Sequence, residues 1–381
     1  MVLVCISGSM VAQDSSKVNL STPALMPANT GPLITNPAPL KFNTGLLGEL
    51  YVSGAVSSLF QYQTGVLPGD KIYAADMSNA QVFIQKATGL FQFFIQAGGY
   101  SIPAVGVPYI RAAKATDLYY GLLPQGYVKI APSESFSVLA GKLPTLIGAE
   151  YTFSFENMNI QRGLLWNQEN AVNRGVQLNY TKGALSVSLS GNDGFYSKKY
   201  TWFWGSLNYA INKNNSVAFI GGGNTRITDI TSVATPLYQN NQQIYNIIFT
   251  HNAWRFTILP YVQYTAVPQS EKLGTAQKAS TYSAAIFVKY SAAKSGFSLP
   301  VRLEYLKTTG SSVLGNPNLL YGAGSNAWSA TVTPTYQHQR LFARSEFSYV
   351  KANDITAGFA FGVLSNEKTQ ARVILEIGIL F

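Results

Sequence analysis

The side chains that most often perform catalysis are scarce in this chain. His251 and His338 are the only histidines, and Cys5 is the only cysteine. A nucleophilic triad needs a histidine between an attacking hydroxyl or thiol and an acid. Nothing in the sequence sets that arrangement around either histidine, and both fall beside expected turns. One cysteine makes neither an intrachain disulfide nor a cysteine-based zinc site. The sequence therefore predicts no enzyme, no metal and no cofactor. What it does carry is charge at short, regular spacing. Arg302 and Glu304 are two residues apart, as are Arg344 and Glu346, and Arg372 and Glu376 are four apart. Even spacing puts both members on one face of a strand. Such charges line a surface and orient what passes it. A second group, Glu150, Glu156, Asn157, Asn159 and Arg162, lies among aromatic residues over 146–170. So apolar a stretch is expected to fold inward and narrow a channel, or to pack against a rim.

The elements that would position these residues follow from composition. Only 12% of the 381 residues are charged, about half the ~25% of a soluble domain. Hydrophobic residues make up 47%, with 23 Tyr, 21 Phe and 33 Gly. No run approaches the ~18 consecutive apolar residues of a spanning helix. Two classes remain: a large soluble all-β protein, or a membrane β-barrel whose apolar residues are diluted by alternation. The net charge of +10 favours anionic partners, but the basic residues are scattered, with Lys198-Lys199 the only adjacent pair. That pattern argues against a nucleic-acid stripe.

Residues 1–12 read as the end of a secretory signal, an apolar core running into small residues. Residues 13–44, with Pro23, Pro27, Pro32, Pro37 and Pro39, read as an extended periplasmic leader or partial plug. Residues 45–381 are expected to be the barrel. There the alternation is sustained. Trp254, Phe256, Ile258, Pro260, Val262 and Tyr264 oppose Arg255, Thr257, Leu259, Tyr261, Gln263 and Thr265. Similar series run over 184–192, 282–290 and 328–337. Trp254 and Tyr264 would lie roughly 33 Å apart along a strand. Tilted by ~45°, that length spans about 23 Å, close to the ~25 Å apolar band between two aromatic girdles.

About sixteen strands are expected, near 46–62, 78–86, 89–100, 118–131, 135–145, 171–181, 184–192, 201–211, 216–225, 242–251, 254–265, 279–290, 297–308, 326–337, 341–352 and 369–381. Short turns alternate with long loops, as in a closed antiparallel transmembrane β-barrel with short periplasmic turns and long extracellular loops. No helix is expected within the series. Pro260, Pro300 and Pro334 stand against closed ladders and should mark bulges or rims. If the aromatic-ended parity faces lipid, Lys129, Arg255, Lys289, Arg302, Glu304, Arg344, Glu346, Arg372 and Glu376 face the lumen. The last three pairs would form a patch of paired charge on one wall. Inward Trp202, Trp204 and Tyr261 offer stacking surfaces for sugars, or simply fill space. At the C-terminus Val373, Leu375, Ile377, Ile379 and Phe381 alternate, and Phe381 is expected to act as the assembly signal.

Gly141-Lys142-Leu143-Pro144-Thr145, Gly148 with Glu150, Glu156-Asn157-Met158-Asn159 and Arg162-Gly163-Leu164-Leu165 resemble the OmpL-like β-barrel porin family, as does the closing Glu376-Ile377-Gly378-Ile379-Leu380-Phe381. The resemblance covers most of 46–381 and is sharpest over about 25 residues; Gln161 stands where the pattern suggests Ser. It implies an outer-membrane pore and specifies no substrate. The expected function is passive diffusion of small hydrophilic solutes across a Gram-negative outer membrane, with weak anion preference. Two alternatives stay open: a carbohydrate-selective channel, and an occluded barrel serving as a surface adhesin or structural protein. The expected partners are outer-membrane lipid and lipopolysaccharide, the solutes, the outer-membrane assembly machinery and, as an oligomer, further copies of the chain.

Overall fold

The structure is a computed structural model that describes residues 39–293 and 295–381. The expected signal remnant at 1–12 and the expected leader up to residue 38 lie outside the described residues. The strands are β1 (Leu40–Asn43), β2 (Glu49–Gln63), β3 (Tyr73–Lys86), β4 (Phe91–Tyr100), β5 (Gln125–Ile130), β6 (Phe136–Pro144), β7 (Val172–Lys182), β8 (Leu185–Asn192) and β9 (Trp202–Asn212). They continue with β10 (Asn215–Asn224), β11 (Gln243–Ala253), β12 (Phe256–Val267), β13 (Ala279–Ser291), β14 (Phe297–Thr308), β15 (Asn326–Val332), β16 (Thr335–His338), β17 (Leu341–Asn353) and β18 (Thr369–Leu380).

From β2 onward successive strands pair antiparallel, apart from β15 and β16, and β18 pairs back onto β2 from Arg372 opposite Gln63 to Leu380 opposite Ala55. Phe381 finishes the seam by exchanging backbone hydrogen bonds with Gly54 at 2.7 and 3.0 Å. β15 and β16 pair with the same two neighbours, β14 and β17, and are one stave broken at Thr333-Pro334. The wall is thus a closed barrel of 16 staves. The barrel needs closure because an open edge in lipid would leave backbone groups unpaired.

β1 pairs only with β2, Leu40 opposite Val52 through Asn43 opposite Glu49. The end of the Pro-rich stretch 13–44 thus joins a ladder with β2. It holds no proline after Pro39, so every residue of β1 keeps its backbone donor.

The period of two decides which face meets lipid. On β18, Val373, Leu375 and Ile377 are 41–65% exposed, whereas Arg372, Ile374 and Glu376 are at most 2% exposed. The registers also place outward aromatics in a row. Tyr245 lies opposite Tyr264, which lies opposite Tyr282, at ring separations of 6.4 and 5.1 Å. Farther along, Tyr305 lies opposite Trp328, whose ring is 5.4 Å from Tyr349. This is the girdle on the long-loop side. Trp254 lies at the other end. It sits in a two-residue turn with Arg255 at φ +52° rather than starting a strand.

Each of the three strand prolines faces a ladder gap on one side of its strand. Pairing between β11 and β12 lapses from Ile248–Tyr261 to His251–Ile258, spanning Pro260. Pairing of β14 lapses between Val301–Val332 and Ser298–Thr335, so one gap accommodates both Pro300 and Pro334. Residues without a backbone donor are tolerated there because the ladder is not asked for it.

Two departures concern residues 101–131. The strand expected over 118–131 is reduced to Gln125–Ile130, and a seven-residue helix, α1 (Ala112–Leu118), precedes it. Part of 101–124 turns into the barrel, where Ser101, Ala104, Val105 and Ala115 are at most 2% exposed, while Leu122 and Leu123 remain 69% and 42% exposed.

Candidate functional site

The interior is organised by residues 145–171, which connect β6 to β7. They fold into the lumen, and Glu150, Phe153, Ser154, Glu156, Asn157, Asn159 and Arg162 are all at most 6% exposed. The inner wall meets this loop with two kinds of surface. On one side Ile147, Ala149, Met158 and Leu165 form an apolar cluster with Trp202, Trp204, Ile220, Ile244, Ile248, Leu259, Tyr261 and Phe287 of β9–β13. Beside it, Phe153 and Phe155 pack with Phe83, Phe94, Tyr100 and Phe342.

On the other side, β14–β18, the contact is polar and charged. Arg302 donates to Glu150 Oε1 at 2.6 Å and to the Gln161 carbonyl at 2.8 Å. Glu304 lies 3.1 Å from the Arg302 Nε, an ion pair without hydrogen-bond alignment. It also accepts from Ser329 at 2.6 Å and from the Leu165 N–H at 3.3 Å. Glu346 accepts four hydrogen bonds: the N–H groups of Ile160 (2.5 Å) and Gln161 (3.0 Å), the Gln161 amide (2.9 Å) and the Thr333 hydroxyl (2.7 Å). Arg344 is paired with Glu376 and donates to the Asn157 carbonyl at 3.2 Å. Glu376 in turn accepts from Ser57, Ser78 and Ser154 at 2.9–3.1 Å. Arg372 donates to Gln63, to the Ala104 and Val107 carbonyls and to Gln161.

These contacts correct the expected pairings. Only Arg302–Glu304 forms within one strand. Arg344 pairs with Glu376 because the β17–β18 register sets them directly opposite, and Arg372 faces Asp70 at 3.6 Å. Glu346 has no arginine within ion-pair distance among the described residues; backbone and amide donors of the loop neutralise it. The expectation that Arg302, Glu304, Arg344, Glu346, Arg372 and Glu376 border open water is also revised. All six point inward, and all are at most 4% exposed because the two inserted loops cover them.

Arg255 is not on the inner wall. It lies in the Trp254-Arg255 turn, 4.5 Å over the Trp254 ring, with its guanidinium donating to the Tyr290 hydroxyl. The turn interrupts the alternation that assigned it a face. Lys129 and Lys289 occupy inward positions toward the short turns and are half-buried. Trp202, Trp204 and Tyr261 point inward but are at most 3% exposed beneath the loop; they offer no open face to a sugar in this conformation.

Within the loop several polar groups are buried without partners. The Arg162 guanidinium makes no hydrogen bond through Nε, Nη1 or Nη2, and its nearest aromatic is Trp166, 5.5 Å from the charge centre. Glu156 uses one oxygen on the Phe153 N–H at 3.0 Å and leaves the other unpartnered, and Glu169 leaves its Oε2 unpartnered. Burial pushes the carboxyls of Glu156 and Glu169 each up to about 8 and that of Glu150 up as well, and it lowers Arg162 to about 10. In every case desolvation of the charged form is the largest cause.

The sequence offered a signal for 145–171 in its mixture of carboxylates, amides and aromatics. It offered none for the second insertion at 101–124. The parts of that insertion that touch the inner charges are the carbonyls of Ala104 and Val107, the N–H groups of Tyr109 and Ala112 and the Tyr109 hydroxyl, on Arg372, Asp70 and Asp76. All but the hydroxyl are backbone groups, which leave no compositional trace.

Residues 49–381 match the family described as "Putative beta-barrel porin-2, OmpL-like", and the chain belongs to that family. Its fold is shared with solved outer-membrane channels. An anion-selective porin from Comamonas acidovorans matches at TM-score 0.59 and 12% identity, over 87% of this chain and 99% of that one. The outer membrane channel DcaP of Acinetobacter baumannii matches at TM-score 0.60 and 9% identity, over 89% and 99%. OmpF of Salmonella typhi, solved with daunomycin, matches at TM-score 0.59 and 10% identity, over 90% and 100%. A search of curated proteins by sequence gives no match. The chain is a Gram-negative outer-membrane porin.

Proposed function

We propose that this porin passes small hydrophilic solutes by passive diffusion, with a weak preference for anions. The observation that carries the reading is the half of the lumen toward the short turns. Ser186, Ser188, Asn208, Ser216, Thr250, Asn252 and Thr257 face inward there and are half-buried, forming a bowl of hydroxyls and amides. The strand charges that join them are Lys129 and Lys289, and Glu49 at the rim is held by Lys41 at 2.6 Å. Selectivity in such a passage follows from width, lining charge and hydrogen-bonding groups. Reversal potentials in a planar bilayer under a salt gradient test the preference: anion preference is expected, and clear cation preference rejects it. The carbohydrate reading is weaker, because the inward aromatics are covered.

A second reading has its own support. The filled lumen at the level of 145–171 is what an occluded barrel with a structural or adhesive surface role would need. Liposome swelling with sugars of graded size separates the two. Swelling that falls with solute size supports the channel, and none at any size supports the occluded barrel. Phe381, seated on the closing seam, is proposed as the signal read by the outer-membrane assembly machinery. Lipid, lipopolysaccharide and, in a homo-oligomer, a second copy would meet the outer face. A neighbour of the same fold, OmpT of Vibrio cholerae, has been solved in a trimer form.

A further inference from the structure

The outer face of the barrel is not uniform. On β11 the third residue is Tyr245, which opens the aromatic row through Tyr264 and Tyr282. On β7 the third residue is Arg174, and its partner across the β6–β7 ladder is Lys142. Both are half-buried and share the outward parity of Val176 and Leu178, which are 48% and 42% exposed. The girdle is thus replaced at β6 and β7 by two cations set directly opposite each other, an arrangement that repels.

The loop after β8 deals with one of these charges only. Asp193 is buried and accepts from the Arg174 N–H and Nε, each at 2.7 Å, and from the Lys198 N–H at 3.1 Å. Tyr196, at φ +58°, lays its ring against both cations, 3.7 Å from the Arg174 guanidinium carbon and 5.5 Å from the Lys142 Nζ. Lys142 donates to the carbonyls of Tyr120 and Leu123 at 3.2 and 2.8 Å. The same turn ends in Lys198 and Lys199, both exposed. Among the described residues none of these three lysines has a carboxylate within ion-pair distance. Three positive charges are left over beside a single acid that Arg174 already occupies.

Toward the short turns the wall beneath them is aliphatic. Val128, Ala140, Val176 and Gly191 are successive cross-strand partners from β5 to β8, and Ile130, Val138, Leu178 and Leu189 form the next outward row. Neither row holds an aromatic ring. Leu122 and Leu123, 69% and 42% exposed, extend this surface beside Lys142. Cations above an aliphatic track complement a ligand with anionic groups above saturated chains.

We propose that Lys142, Arg174, Lys198 and Lys199 form a binding site for the phosphorylated sugar headgroup of one outer-leaflet glycolipid, whose acyl chains lie along the β5–β8 wall. The site stands at the long-loop end of the barrel, the end that meets the lipopolysaccharide leaflet. Its cations are spread over two strands and a turn, which suits a headgroup bearing more than one phosphate. Lysines supply point charges to such groups and arginine a fork of donors, and basic clusters at a membrane interface recognise anionic headgroups in this way. The inference deepens the lipopolysaccharide contact proposed above, on which it rests, and is independent of what the channel passes.

The test is native mass spectrometry of the whole barrel in neutral detergent, titrated with bisphosphorylated lipid A. One molecule is expected to bind about tenfold more tightly than lipid A stripped of its phosphates, and more tightly than phosphatidylglycerol. The triple variant Lys142→Gln, Lys198→Gln, Lys199→Gln keeps Arg174 on Asp193 and is expected to lose about tenfold in that affinity. Lys182→Gln, Lys213→Gln, Arg340→Gln removes equal charge from exposed positions at the short-turn end and is expected to bind as the unaltered barrel does. An undiminished affinity in the first variant, or an equal loss in the second, overturns the site. Phosphatidylglycerol binding as tightly as lipid A overturns the glycolipid assignment, and displacement by millimolar inorganic phosphate overturns the lipid assignment. Should the first variant fail to fold, seen as loss of heat-modifiability on gels, the comparison of lipids on the unaltered barrel decides. Several lipid A molecules bound without regard to phosphate would remove the site and keep the general contact; no lipid A bound at all would remove both.

Discussion

At the scale of single residues, the interior depends on places where only hydrogen fits. A Cβ on Gly163 would lie 2.1 Å from Glu304 Oε1 and 2.6 Å from its Cδ. Glu304 would have to leave Ser329 and its position beside Arg302. Displacing a buried carboxylate from its donors costs about 1–3 kcal/mol or more. Gly163→Ala is therefore expected to loosen the seated loop, read as faster hydrogen exchange over 146–170 with the barrel strands unchanged. Equal protection would show that Glu304 shifts at no cost. Gly54 has a different role, at the seam where the barrel closes. Its Cβ would meet the Phe381 ring at 2.3 Å and the Gln81 carbonyl at 2.7 Å. The ring could turn aside, but the backbone could not. Gly54→Val is expected to destabilise closure by about 1–3 kcal/mol, the usual range for overpacking. The readout is the fraction of heat-modifiable, folded barrel after refolding into detergent.

At the scale of elements, the inserted loop has a pH dependence whose sign can be worked out. Burial holds Glu156 and Glu169 at about 8, above their ordinary value of 4.5. A carboxyl whose folded value is raised favours the folded arrangement when protonated. Its contribution is complete below about 4.5 and is lost as the pH rises through about 8. The seated loop should therefore hold best in acid and loosen toward pH 8 and above. Exchange protection over 146–170, corrected for intrinsic rates, is expected to be higher at pH 5 than at pH 9. In the double variant Glu156→Gln, Glu169→Gln that difference should shrink. A protection that rises with pH would contradict the assignment. The same loop shows what a sequence can convey about an element. Its apolar composition argued against open water and left two places for it, inside the barrel or packed against a rim, between which only the structure chooses. Its partners were not legible, since Arg344 meets Glu376 through cross-strand register and Glu346 meets backbone N–H groups.

At the scale of the whole molecule, alternation carried most of the architecture. Strand ends such as 297–308 and 279–290 agree with the structure to within a residue because lipid outside and a polar interior impose one period on the wall. Reading failed where that constraint stops. Trp254-Arg255 forms a turn at positive φ without the usual glycine, and Ser101, Ala104 and Val105, ahead of α1, are buried inside the barrel, where neither lipid nor water sets a pattern. Charge at the turn-side bowl is the remaining global property, and it is open to direct manipulation. Lys129 and Lys289 face the same passage from β5 and β13, and their reversal to Lys129→Glu and Lys289→Glu changes its lining by four charges. Two exposed lysines far from the lumen, Lys272 and Lys351, can be reversed to Glu as a control of equal net charge. If lining charge sets selectivity, the first variant should move the anion-to-cation permeability ratio severalfold toward cations, while the control leaves it within error. An equal shift in both would mean that the field of the whole protein, rather than its passage, steers the ions. The effect should also shrink as salt is raised, because screening shortens from about 10 Å at 0.1 M to about 3 Å at 1 M. A shift insensitive to salt would place the selecting charges in a narrower, drier part of the barrel than the bowl.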